Sequence, residues 1–186
     1  MAPTLPKLKL TYFYSRMPVC EACRPDWPSM LAMCPLKTNI AQFNGILSYA
    51  GTLGGLYPAA DPLKAALVDQ VVLHIDDMNM AIFPSIIERD NNKKTLLRKD
   101  IVEKKFPEML SDLDKVLEKH SAGKWSVGNT LTVADLCVYV LIGLIKSDLW
   151  NGIPTNMADK YTCAHRVYEA VRTHPKVAEW ELAHKK

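Results

Sequence analysis

The sequence predicts an α+β chain of two unequal parts, a short N-terminal segment with one legible β-strand and an all-helical remainder. Three observations carry this. Lys7 to Phe13 (KLKLTYF) alternates polar and apolar side chains. From Asp61 onward, apolar residues recur every three or four positions. Thr132-Val-Ala-Asp135 stands directly before an apolar run, the pattern of a helix start. With 186 residues there is room for one ordinary domain or two small ones. The division is expected near residue 58, giving parts 1–58 and 59–186.

In the first part, Leu8, Leu10 and Tyr12 share one side of the expected strand, and Lys7, Lys9 and Thr11 the other. Pro18 suits a first helical turn because its nitrogen has no hydrogen to satisfy, so a short helix over 18–24, stopped by Pro25, follows. Further prolines at 28 and 35 leave room for one or two helical turns at 29–33. The stretch 39–50 reads as helix, with Gly51 as its C-cap.

The second part opens with Asp61 as N-cap and Pro62 at N1. Leu63, Leu67, Val71, Ile75, Met78, Ile82 and Ile86 then form one stripe of a long helix, bent or ended near Pro84. A charged linker over 88–94 is expected before a second helix that begins near Lys99. Its stripe is Val102, Phe106, Met109, Leu113 and Val116 or Leu117, and Pro107 should kink it. Thr132 and Asp135 form a capping box, flanked by Leu131 and Leu136 as a hydrophobic staple. The run 136–145 is apolar on every face, which predicts a helix enclosed by others. Short helices over 158–172 and 176–184 finish the chain.

Composition narrows the function. Apolar residues make up 48% and charged residues 23%, average for a folded domain. The formal charge is only +3, and no Lys/Arg block or basic-aromatic stripe concentrates it, so neither nucleic acid nor a membrane is an expected partner. The longest strongly apolar run is far shorter than the ~20 residues needed to cross a bilayer. No secretory signal is legible, and five cysteines are too few for a disulfide framework, so a cytoplasmic location is expected. A closed metal site lacks ligands near Cys20, Cys23 and Cys34, so no metal is expected.

The order of motifs resembles the cytosolic glutathione S-transferases of the tyrosine type, sigma-like. The matching pieces are Lys7-Leu-Lys-Leu-Thr-Tyr-Phe13, Asp26-Trp-Pro28, Ile40-Ala-Gln42, Asn44-Gly-Ile-Leu-Ser-Tyr-Ala50, Leu53-Gly-Gly-Leu-Tyr-Pro58, Ala65-Ala-Leu-Val-Asp69, Val127-Gly-Asn-Thr-Leu-Thr-Val-Ala-Asp135 and His174-Pro-Lys-Val-Ala-Glu-Trp180. The resemblance implies a thioredoxin-like N-terminal domain and an all-α C-terminal bundle, with glutathione as co-substrate, a small electrophile as second substrate and a homodimer. A thioredoxin-like domain needs roughly 75 to 80 residues. About 52 lie between Lys7 and Pro58, so that domain is shortened.

By the same resemblance Tyr12 is the catalytic phenol, which favours thiolate over thiol by donating a hydrogen bond to the sulfur. Arg16, Trp27, Gln42, Phe43 and Asp76 fall at glutathione-binding positions. Phe43 replaces a serine that holds the γ-glutamyl end, and loss of that hydroxyl weakens the site. Two other readings stand beside this one. A non-catalytic homologue, or a truncated product, would keep the helical part without the peptide site. A thiol oxidoreductase would use Cys20 of Cys20-Glu-Ala-Cys23 as a helix-N-terminal thiolate.

Overall fold

The computed structural model describes residues 42–184. The expected strand over 7–13, the helix over 18–24 and the turns at 29–33 lie outside those residues. The chain divides between Tyr57 and Pro58 into two compact units. In the first, helix α1 runs Phe43–Leu53. It begins later than the expected residue 39, and Gly51 lies inside it, buried, while Gly54 is the C-cap. The Gly51 carbonyl accepts from the Leu56 and Tyr57 amides at 2.7 and 3.1 Å, so the Gly-rich stretch closes the helix by folding back on it.

Among the described residues the regular structure of the second unit is helical, apart from one isolated bridge between Ser121 and Gly128. Helix α2 (Pro62–Ile87) starts as the sequence indicates. Asp61 is the N-cap, and its carboxylate accepts from the Lys64 amide at 3.0 Å. Val68, Val71, Val72, Ile75, Met78 and Ile82 are its buried apolar positions. Leu63 is a correction: it is 73% exposed, on the side of the first turn away from the buried stripe. Pro84 does not end the helix. Its ring and Met80 are both exposed, so the Met80 carbonyl that loses its helical donor is open to water.

The expected linker over 88–94 shrinks to 88–90. Asp90 caps a further helix, α3 (Asn91–Asp100), accepting from the Asn92 and Lys93 amides at 2.8 and 3.2 Å. A π-helical turn, Ile101–Lys105, joins it to α4 (Phe106–His120). Pro107 would crowd the Glu103 carbonyl in an unbroken α-helix; the wide turn before it absorbs that clash. Phe106, Leu110, Leu113 and Leu117 are fully buried on α4, while Val102 and Met109 are only half-buried.

Helices α5 (Val133–Lys146), α6 (Thr162–Arg172) and α7 (Pro175–His184) complete the unit. Helix α5 packs on α2 and α6, and α6 on α4. It is not enclosed on every face: Val140 is 41% exposed, and Tyr139, Gly143 and Leu144 are half-buried. A buried charge anchors its start. One Asp135 carboxylate oxygen accepts from the Ser126 amide at 2.6 Å, and the other from the Thr132 amide at 2.7 Å and the Thr132 hydroxyl at 3.0 Å. The loop 121–131 is thereby tied to α5, and Lys64 of α2 reaches the same loop, donating to the Thr130 hydroxyl at 3.0 Å.

Removing the Asp135 carboxylate leaves buried donors without an acceptor. Asp135→Ala is expected to cost on the order of 3–5 kcal/mol in urea unfolding, Asp135→Asn less because one acceptor oxygen remains, and Thr132→Ala about 0.5–2 kcal/mol.

Candidate functional site

Of the six residues that the sequence singles out, Tyr12, Arg16 and Trp27 lie outside the described residues, as do Cys20 and Cys23. Gln42 and Phe43 stand together at the head of α1, in the first unit. Asp76 lies on α2, in the second.

Gln42 is the N-cap of α1, with φ 75° and ψ 131°. Side-chain-bearing residues seldom adopt such a positive φ, and holding one there costs of order 1–3 kcal/mol. Among the described residues no side chain caps the helix, and no acidic residue stands in its first turn. The first-turn amides of a helix and its dipole favour a carboxylate. Gln42, Phe43 and Gly45 are exposed, and the side-chain oxygen of Asn44 is buried without a hydrogen-bond partner.

Asp76 is half-buried. Burial, then the neighbouring charge of Asp77, raises its carboxyl above the ordinary aspartate value. Asp76 also adds to the field on Cys137 of α5, whose thiol is pushed up to about 12 by burial first and then by Asp135 and Asp76. Cys137 is therefore a thiol, not a thiolate, at neutral pH. Cys163 is buried as well. Among the described residues no group of three or more His, Cys, Asp or Glu could hold a metal ion, and no helix is long and apolar enough to cross a membrane.

Several organising side chains escape a reading of sequence. Asp114 of α4 accepts from the Ala164 amide at 2.9 Å and so caps α6, whose own N-cap, Tyr161, makes no side-chain cap bond. Tyr161 instead donates to the Pro107 carbonyl at 2.9 Å. His74 of α2 donates from Nε2 to the Met109 carbonyl at 2.7 Å. Tyr139, stacked on Tyr168, donates to Glu181 and holds α7. These pairs join residues 35 to 54 positions apart in sequence, and no local motif announces them.

Comparison with known proteins gives the class to which this capping box and helical unit belong. Residues 76–184 match the family model for the glutathione S-transferase C-terminal domain. The chain is 30% identical to hematopoietic prostaglandin D synthase of Gallus gallus over 205 residues, covering 95% of this chain and 96% of that protein. That alignment is longer than the chain itself, so it steps across gaps. Among solved structures, prostaglandin synthase D of Nilaparvata lugens superposes with a TM-score of 0.69 at 17% identity, covering 80% of this chain and 71% of that one. Rat hPGDS complexed with a quinoline gives 0.64 at 23%, with coverages of 78% and 68%. A monomeric glutathione S-transferase of Necator americanus gives 0.61 at 19%, with 79% and 70%.

The chain belongs to the glutathione S-transferase family, and its function is of the glutathione transferase type.

The raised carboxyl of Asp76 has a stability consequence. The folded state binds this proton more tightly than the unfolded chain, so stability falls as pH rises from the unfolded value of 3.8 through the folded one. Asp76→Asn is expected to be more stable than the native chain at pH 7, with the gap closing as pH approaches 3.8, read from thermal melts across that range.

Proposed function

We propose that this protein conjugates glutathione to small electrophilic substrates, with the residues of the first unit forming the peptide site. The observation that carries the reading is the head of α1. Gln42 is kept in a costly backbone conformation beside amides that no described side chain caps, and strain of this kind concentrates at ligand clamps. Glutathione presents carboxylates and a charged amino-acid head, which such a helix start can take.

In this reading Tyr12 donates its hydroxyl hydrogen to the glutathione sulfur. The bond favours thiolate because an anion accepts more strongly than a thiol. The thiolate attacks the electrophile, and a carbon–sulfur bond forms as the leaving group departs or the electron pair moves into an acceptor. Arg16, Trp27, Gln42 and Phe43 hold the peptide, and Asp76 acts toward glutathione of the other subunit in a homodimer. The division at residue 58 separates the peptide-binding part from the helical part, and the protein works in the cytoplasm.

Phe43 favours a second reading. A ring where the family places a serine removes one hydroxyl from the γ-glutamyl end, and a non-catalytic interaction protein would tolerate that loss. Cys20-based thiol chemistry is the third. The 30% identity to a prostaglandin D synthase makes prostaglandin D formation a reaction to include among the test substrates.

Steady-state kinetics with glutathione and a panel of electrophiles separate the three. Conjugation is expected, with Tyr12→Phe lowering kcat/KM by about 10²-fold and moving its pH profile toward the free thiol value of about 8.5. Phe43→Ser should lower the KM for glutathione, and Cys20→Ser should change nothing. Absence of turnover in the folded protein, or activity lost in Cys20→Ser and kept in Tyr12→Phe, would contradict the reading.

A further inference from the structure

The near-even charge of the whole chain conceals a local imbalance. Residues 88–105 hold seven Lys/Arg against four Asp/Glu, as large an excess as the +3 of the entire protein. The sequence presents these cations as scattered pairs; the fold collects them on α3 and the turns at either end.

Arg98 sets the orientation of α3. It is buried, donating from Nε to the Ser85 hydroxyl at 3.4 Å and from Nη1 to the Asn151 carbonyl. With Arg98 turned inward, the two leucines before it face out: Leu96 is 68% exposed and Leu97 37%. Ile87, at the end of α2, is 50% exposed. Adjacent exposed leucines on a helix this polar have no role in the core.

The acidic groups of the segment are occupied. Glu88 accepts from the Arg89 and Asp90 amides, and Asp90 from the Asn92 and Lys93 amides. Asp100 pairs with Lys104 and Lys105 at 3.4 and 3.6 Å, and Glu103 with Lys99 at 3.8 Å. Arg89, Lys93 and Lys94 form no ion pair among the described residues. Lys93 and Lys94 lie in the first turn of α3 and Arg89 just before it, about one turn ahead of the exposed leucines.

We propose that this face is a docking surface for anionic lipid bilayers, with Arg89, Lys93 and Lys94 at the headgroups and Leu96 and Leu97 at the headgroup–acyl boundary. A bilayer offers negative charge and, a few ångströms deeper, apolar volume. Long basic stems can lie along that boundary while their charged ends stay in water. An acidic protein would satisfy the cations but gives no reason for two leucines bared beside them. Each basic residue near an anionic surface contributes about fivefold, so three give roughly a hundredfold, enough for reversible, salt-sensitive attachment and no more. The contact is peripheral and adds to the conjugation reading without depending on it.

Vesicle flotation of the full chain tests the proposal, using phosphatidylcholine vesicles with and without about one-third phosphatidylserine. At low salt, recovery with the anionic vesicles should exceed that with pure phosphatidylcholine at least tenfold, and it should fall several-fold on raising salt to about 0.15 M. Lys93→Glu, which adds a favourable acidic residue to the first turn of α3, should weaken binding at least fivefold, and Leu96→Gln should weaken it severalfold. Both positions are exposed, so circular dichroism should show unchanged helicity. Equal recovery with both vesicle types overturns the proposal. So does binding that ignores Leu96→Gln and is fully displaced by polyglutamate, which would assign the face to an acidic polypeptide.

Discussion

A single buried carboxylate organises the helical unit. Asp135 is inaccessible to solvent, yet it is kept useful by three donors converging on its two oxygens. Burial pushes its carboxyl above the ordinary aspartate value, and the bonds from Ser126 and Thr132 pull the other way. The arrangement converts an expensive buried charge into a constraint on conformation, because only one path of the loop 121–131 brings both amides to the carboxylate. Helix α5 can then begin at Val133 with its apolar side chains aimed at α2 and α6. Misplacing that start by one residue would rotate the buried set by about 100°.

The features legible in the sequence are those in which cause and effect lie within one turn of chain. Asp61 with Pro62 and Thr132 with Asp135 are local grammar, and the structure realises both. The family, too, was readable, because its motifs recur in order along most of the chain. What escaped was of two kinds. Helix α3 is so polar that no periodic stripe marks it, and Asp90 was its only announcement. The caps and bridges made by Asp114, Tyr161, His74 and Arg98 depend on which helices become neighbours, and spacing does not encode that. Gly51 was misread for a related reason: a glycine inside a helix and one just past its end look alike until the chain is seen folding back at Leu56 and Tyr57.

For the candidate site, the resemblance names the residues, and the structure shows an unusual backbone conformation at one of them, Gln42. Among the described residues the Gln42 side chain makes no cap bond that would offset its positive φ. Strain of this kind is found where a backbone presents a group to a ligand, and in the proposed reading the start of α1 is that place. Phe43 pulls the other way, since it removes a hydroxyl where the charged end of a peptide would need one. In the proposed reading, the balance between a clamp at Gln42 and a hydroxyl missing at Phe43 decides whether the first unit holds glutathione. Nothing in the second unit substitutes for it: Cys137 is held protonated, and Asp76 is a carboxylate whose ionisation burial already opposes.

Calorimetric titration of glutathione into the full chain tests this balance most directly. The account expects saturable heats with one tripeptide bound per chain, at concentrations up to the millimolar range. A flat titration with the protein verifiably folded would contradict it, leaving a helical unit knotted at Asp135 without the peptide it was expected to serve.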